Sequence, residues 1–202
     1  MAITSNVSSF LQQVRQGVRP NMFQVDMVFP ANIGLTDSSS DQDLVTLMCK
    51  SAALPASNIG VIEVPFRGRT VKIAGDRTFD NWTATFINDK DMKVRSKFEN
   101  WLGALNEHQA NKTLAAGGED PINYTTSVFV KQLEKNEGTG TGGDALRGYK
   151  LWYAFPTSVS AIDLAYDSND QIEEFTVEFQ YSYWTVGDES GNPAGRSGIS
   201  IP

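Results

Sequence analysis

The chain has 202 residues, 40% of them apolar, with 17 Lys and Arg against 24 Asp and Glu and a net charge of −7. That is enough for one domain with a hydrophobic core, and a net negative surface repels phosphate backbones, so a protein that grips nucleic acid is disfavoured. The sequence has no run of about 18 apolar residues, and MAITSNVSSFLQQVRQ lacks the basic-then-apolar order of a leader, so neither membrane insertion nor export by a signal peptide is expected.

From the N-terminus, Val7, Phe10, Leu11, Val14 and Val18 recur at spacings of three and four, which predicts one side of a short amphipathic helix ending near Gly17. RPNMFQVDMVFP sets a Pro-led turn before an alternating strand, with Phe23, Val25 and Met27 against Gln24 and Asp26. The Ser- and Asp-rich run ANIGLTDSSSDQD reads as a loop and LVTLMCKSA as a second strand. Cys49 inside that strand is read as a small buried hydrophobe; as the lone cysteine it forms no intrachain disulfide.

Residues 53–77 hold two β-branched runs, VIEVPF and RTVKIA, meeting at Arg67 and Gly68, which predicts a long hairpin whose Pro65 confines the first arm to an edge. WTATFIND is an alternating strand, after which Asn88 or Asp89 is placed to cap a helix over about 89–106 that carries Met92, Val94, Phe98, Trp101, Leu102 and Leu105 on one side. A turn-rich stretch, TLAAGGEDPIN, leads to the strand YTTSVFVKQLEK. The link NEGTGTGGDALRG precedes YKLWYAF and SAIDLAY.

Last comes EFTVEFQYSYW, read as one long strand. Phe175, Val177, Phe179, Tyr181 and Tyr183 form its dry face, and Thr176, Glu178, Gln180 and Ser182 its wet one. Strands, one helix, then more strands argue for a mainly β, α+β architecture: an antiparallel β-sandwich or barrel with one packed helix and a long protruding hairpin. A single domain over 1–186 is expected, followed by a flexible Gly-, Ser- and Pro-rich extension, 187–202.

Chemistry is sparse. His108 is the sole histidine and, with Cys49, has no further ligand types at metal spacing, so no metal site and no nucleophile–base pair is assigned. GTGTGGDALRG lacks the Gly-Lys-Ser/Thr of a phosphate loop. Asp167, Asn169, Asp170 and Glu173 lack the sharp-turn glycine of a calcium loop and read as an Asx-type turn. No catalytic residue, cofactor or metal is expected.

Three segments carry a resemblance: RPNMFQVDM; the stretch from KSAALPASNIGVIEVPFRGRTVKIAGDRTFDNW to FENW; and FPTSVSAIDLAYDSNDQIEEFTVEFQYSYW. In order and spacing they resemble the tail tube proteins of contractile-tailed bacteriophages, over about half of the chain. The resemblance implies a structural virion protein whose subunits close into hexameric rings, and rings that stack into the rigid inner tube of the tail. It further implies a bore lined by strands from every subunit through which DNA passes without specific binding, and a hairpin that reaches neighbouring subunits. The partners implied are further copies of the chain, the tail sheath protein, baseplate and tail-terminating proteins, and the tape measure protein. The chain departs from shorter members at the loop 31–43, the Gly-Thr insertion 136–147 and the tail 187–202.

On that basis Thr176, Glu178, Gln180 and Ser182 face either the bore or outward under the sheath; the bore is favoured, since carboxylates there keep DNA mobile. Ile59, Val61, Ile62, Phe66, Arg67, Arg69 and Lys72 are the candidates for an inter-subunit hairpin surface, apolar with a charged rim. Two alternatives are the tube of a related contractile injection machine, of type VI secretion or bacteriocin kind, and a carbohydrate-binding sandwich using Trp82, Trp101, Trp152 and Trp184.

Overall fold

The computed structural model describes residues 7–15, 17–33, 39–113, 120–133, 145–167 and 169–187. The centre of the Gly-Thr insertion and all of the expected C-terminal extension except Gly187 lie outside these residues.

Two antiparallel layers share one strand. The first contains β1 (Phe23–Met27), β6 (Thr126–Leu133), the early part of β7 (Ala145–Val159) and β9 (Tyr183–Gly187). The second runs β2 (Cys49–Ala52), β5 (Trp82–Ile87), β8 (Glu174–Gln180) and the late part of β7. β7 serves both because it bends: Tyr153 has φ of 56°, and opposite β6 the register jumps from Thr126↔Ala154 to Val128↔Leu151, leaving an extra residue on β7. Pairing with β6 has ended by Ala154, so the N–H that Pro156 lacks is not needed by that neighbour.

The core lies between the layers. Val25, Met27, Val128, Val130 and Leu151 enter from the first and Trp82, Ala84, Phe86, Phe175, Val177 and Phe179 from the second. α3 (Lys93–Leu105) packs there through Val94, Phe98, Trp101 and Ala104, all buried. Its N-cap position is held by Met92 in a left-handed conformation (φ 53°) with no side-chain cap. The Asp89 carboxylate instead accepts the Val94 amide at 3.2 Å, so the capping chemistry expected of Asn88 or Asp89 arrives through a turn that ends where the helix begins.

Three expectations are corrected. LVTLM is helical: α2 spans Ser39–Met48, so it also takes in Ser39–Asp43 of the run read as a loop, whose Ala31–Ile33 form a 3-10 turn, and only Cys49–Ala52 is strand. A strand would place Val45 and Leu47 on one side, yet Val45 is 1% exposed and Leu47 77%, while Leu44 and Met48 pack with Val45 against the core at helical spacing. SAIDLAY forms no strand; β7 continues through Pro156 and stops at Val159. The last long strand is two: β8 ends at Gln180, the Ser182 amide donates to the Trp152 carbonyl at 3.0 Å, and β9 then pairs with β7 instead of β5. Tyr181 therefore closes the dry face of β8, whereas Tyr183 leaves it and stacks on Trp152.

α1 (Val7–Arg15) forms as expected and is followed by a turn in which the Gly17 amide donates to the Val14 carbonyl. Its apolar side, Val7, Phe10, Leu11 and Val14, is turned to solvent. A single helical turn, α4 (Pro121–Tyr124), stands in the stretch read as turns, capped by Asp120. Among the described residues no helix is long and apolar enough to cross a membrane.

Candidate inter-subunit and lumenal surfaces

The hairpin forms over the predicted residues: β3 (Asn58–Phe66) pairs with β4 (Arg69–Thr78) and, among the described residues, with no other strand. Arg67 and Gly68 close it with φ of 45° and 80°, positive at both positions as a two-residue turn between twisted strands requires. Near its base a bulge between Ile59 and Val61 brings Gly60 against Gly75, where a Cβ on Gly75 would stand 3.1 Å from the Gly60 carbonyl oxygen.

Register sorts the side chains, because residues directly opposite each other share a face. Ile62↔Ile73, Val64↔Val71 and Phe66↔Arg69 make one face; Val61↔Ala74, Glu63↔Lys72 and Pro65↔Thr70 make the other. The first is apolar apart from Arg69, and its Ile62, Val64, Phe66, Val71 and Ile73 are all exposed. Of the predicted residues, Ile62, Phe66 and Arg69 therefore come together, Arg67 caps them with its guanidinium 5.4 Å from the Phe66 ring centre, and Val61 and Lys72 lie behind. Lys72 pairs there with Glu63 at 3.6 Å, and Ile59 sits below the bulge, opposite Arg77. Val64, Val71 and Ile73 were missed; the period of two through Ile62, Val64 and Phe66 marks the first of them.

The second surface is the outer side of the β2–β5–β8–β7 layer. Thr176, Glu178 and Gln180 alternate with the buried Phe175, Val177 and Phe179, so the predicted wet face is real for these three. Ser182 falls in the break before β9 and is not part of it. Cross-strand partners extend the face: Thr83 opposite Glu178, Thr85 opposite Thr176, and Ser158 opposite Glu178 on the other side. Thr85 and Thr176 share a hydroxyl hydrogen bond at 3.2 Å, Gln180 donates to Asn81, and Lys50 meets Glu174 at 2.5 Å. Glu178 is exposed between them and turns the balance of this face negative.

The four tryptophans form no common platform. Trp82 and Trp101 are buried, with indole N–H groups donating to the carbonyls of Ala53 (2.6 Å) and Tyr124 (2.9 Å). Trp184 donates to the Ala56 carbonyl and Trp152 to the Thr185 hydroxyl. Among the described residues no cluster of His, Cys, Asp and Glu is arranged to hold a metal ion. His108 is exposed beyond the end of α3. The Cys49 thiol is pushed up to about 12 by burial, which keeps it protonated at neutral pH.

A family model described as the phage tail tube protein matches residues 18–187. Tail tube protein gp19 of Enterobacteria phage T4 is 36% identical over 166 residues, covering 82% of this chain and 90% of the relative. The fold recurs in a chain of the six-fold symmetrised baseplate of the anti-feeding prophage, with TM-score 0.58 at 10% identity over 85% of this chain and 96% of that one. It recurs again in the sheath–tube complex of PVC, an extracellular contractile injection system, with TM-score 0.58 at 14% identity over 92% and 99%. By sequence match along most of its length, and by the sandwich and hairpin just described, the chain belongs to the phage tail tube protein family.

Proposed function

We propose that this chain is the subunit of the inner tube of a contractile phage tail, a virion component that forms hexameric rings stacked into a conduit for DNA. The observation that carries the reading, beside family membership, is the β2–β5–β8–β7 layer. Its inner face is dry and its outer face polar. Both of its outer strands have an open edge: β2 pairs only with β5, and β7 beyond Ala154 pairs only with β8 among the described residues. An isolated sandwich with two such edges invites uncontrolled pairing, whereas four strands from each of six copies, joined edge to edge, close into a barrel with none. The polar face then lines the bore, and Thr83, Thr85, Ser158, Thr176, Glu178 and Gln180 present hydroxyls, an amide and a carboxylate to passing DNA, while Lys50 on this face is paired with Glu174.

The fold recurs in a baseplate symmetrised six-fold and in a sheath–tube complex, which supports the ring and a surrounding sheath as partner. Baseplate, terminating and tape measure proteins complete the expected partner set. Chains of the anti-feeding prophage baseplate and of the PVC sheath–tube complex share the fold; 36% identity to the phage T4 tail tube, against 10% and 14% for those chains, favours the phage tail. A sugar-binding module is disfavoured because Trp82 and Trp101 are in the core.

The test is electron microscopy of the purified protein together with its sedimentation profile. Hollow tubes or six-fold rings are expected; a chain that remains a monomer even when tail baseplates are supplied as nuclei would overturn the reading.

A further inference from the structure

The hairpin leaves the domain at one end of the β5–β8 pair, where Trp82 lies opposite Phe179. At the other end, where Ile87 lies opposite Glu174, is the loop from β7 to β8, described over residues 161–167 and 169–173. β8 has seven residues, so the two features are separated by roughly 20 Å along the strands.

Loop and hairpin are opposite in charge and alike in their apolar exposure. The loop exposes Leu164 (80%), Ile172 (72%) and a fully exposed Tyr166, and carries Asp163, Asp167 and Asp170 with no Lys or Arg. Between its arms is a cleft of about 350 Å³ lined by Ala161, Asp163, Leu164, Gln171 and Ile172. Its ends are tied down: the Asn88 amide donates to the Glu173 carbonyl at 2.9 Å, and Arg95 donates to the Ser160 carbonyl at 3.2 Å. The hairpin, over 58–78, has four cations, Arg67, Arg69, Lys72 and Arg77, against Glu63 and Asp76. Its apolar face is uncovered.

We propose that the hairpin of one copy seats its apolar face on the Leu164–Tyr166–Ile172 loop of a copy in the next ring, with Arg67 and Arg69 against Asp163, Asp167 and Asp170. This rests on the tube reading and identifies the surface that receives the hairpin. Identical rings stacked head to tail bring the hairpin end of one against the loop end of the next, and a heterologous contact of that kind repeats without closing. Opposite charges fix the direction of stacking, since hairpin against hairpin opposes cations and loop against loop opposes carboxylates.

The experiment is charge reversal with rescue, read by electron microscopy and sedimentation beside the unaltered chain. R67E/R69E and, separately, D163K/D167K/D170K are each expected to lower tube yield by about tenfold or more while rings persist, and all five substitutions in one chain to restore tubes. Stacking by R67E/R69E at the unaltered level, or a five-fold variant that melts normally and stays unstacked, would overturn the proposal. An unaltered chain that gives neither rings nor tubes would instead remove the tube reading itself, and the proposal with it. A second readout does not depend on charge: tubes carrying R67C and Y166C, oxidised at pH 8, should give a disulfide-linked ladder between copies. The native Cys49, protonated there, contributes little. Absence of a ladder from intact tubes contradicts the contact.

Discussion

Phe98 of α3 and Phe86 of β5 meet with ring centres 5.1 Å apart, and the same Phe98 ring lies within 6.2 Å of Phe29, Phe175 and Phe179. One helical side chain thus touches both strands that hold the polar outer face in place. Removing it leaves a cavity among fully buried rings, so Phe98→Ala should destabilise by about 3–5 kcal/mol. Denaturant unfolding measures this; a loss under about 1 kcal/mol would show that the layer does not depend on the helix.

Glu178 lies on the same strand as Phe175 and Phe179 but points the other way. Glu178→Lys should leave stability within about 0.5 kcal/mol, because the side chain is exposed. In a phage carrying it, a ring of cations in the bore should retain phosphate and slow genome delivery. Normal melting with unchanged infection kinetics would argue that Glu178 lies outside the bore.

The hairpin contributes no residue to the buried core. Replacing residues 60–76 by a short Gly-Ser link between Ile59 and Arg77, which are register partners, should therefore change the melting temperature little and abolish stacking. Tubes of normal length from this variant would contradict a role for the hairpin between rings.

Cys49 gives a pH signature. Burial raises its thiol from 9.0 to about 12, so above pH 9 the unfolded chain loses this proton while the folded chain keeps it. The stabilising contribution is complete below pH 9 and is lost as pH rises from 9 towards 12. Tyr181, raised first by burial and then by Asp80, acts in the same sense above pH 10. Chemical denaturation across pH 8–11 should show the decline and a shallower one in Cys49→Ala; identical slopes would mean that the thiol is as accessible folded as unfolded.

Much of this was legible because burial imposes a period. The alternation through Phe175, Val177 and Phe179 and the spacing of Val94, Phe98 and Trp101 each record a face turned to the core, and both appear where expected. The hairpin was legible from its Arg67-Gly68 turn, although only the pairing register separates the face holding Ile62 and Phe66 from that holding Val61 and Lys72. What failed was what tertiary context decides. LVTLM is equally apolar as strand or helix, and the core accepts Val45 while leaving Leu47 in solvent. The division after Gln180 depends on Ser182 bonding to Trp152, thirty residues earlier in sequence, and the bend at Tyr153 has no glycine to announce it. Asp89 supplies its cap across Met92, a link that no adjacent-residue rule contains.

In the proposed tube the β2–β5–β8–β7 layers of six copies close around a bore with Thr85, Thr176 and Glu178 on its wall. A helical reconstruction of assembled tubes by electron cryomicroscopy tests it most directly. Six subunits per ring are expected, with β2 of one copy paired with the late part of β7 of the next and Glu178 lining the lumen. A tube lined by the β1–β6–β7–β9 layer, with Glu178 on its exterior, would contradict it.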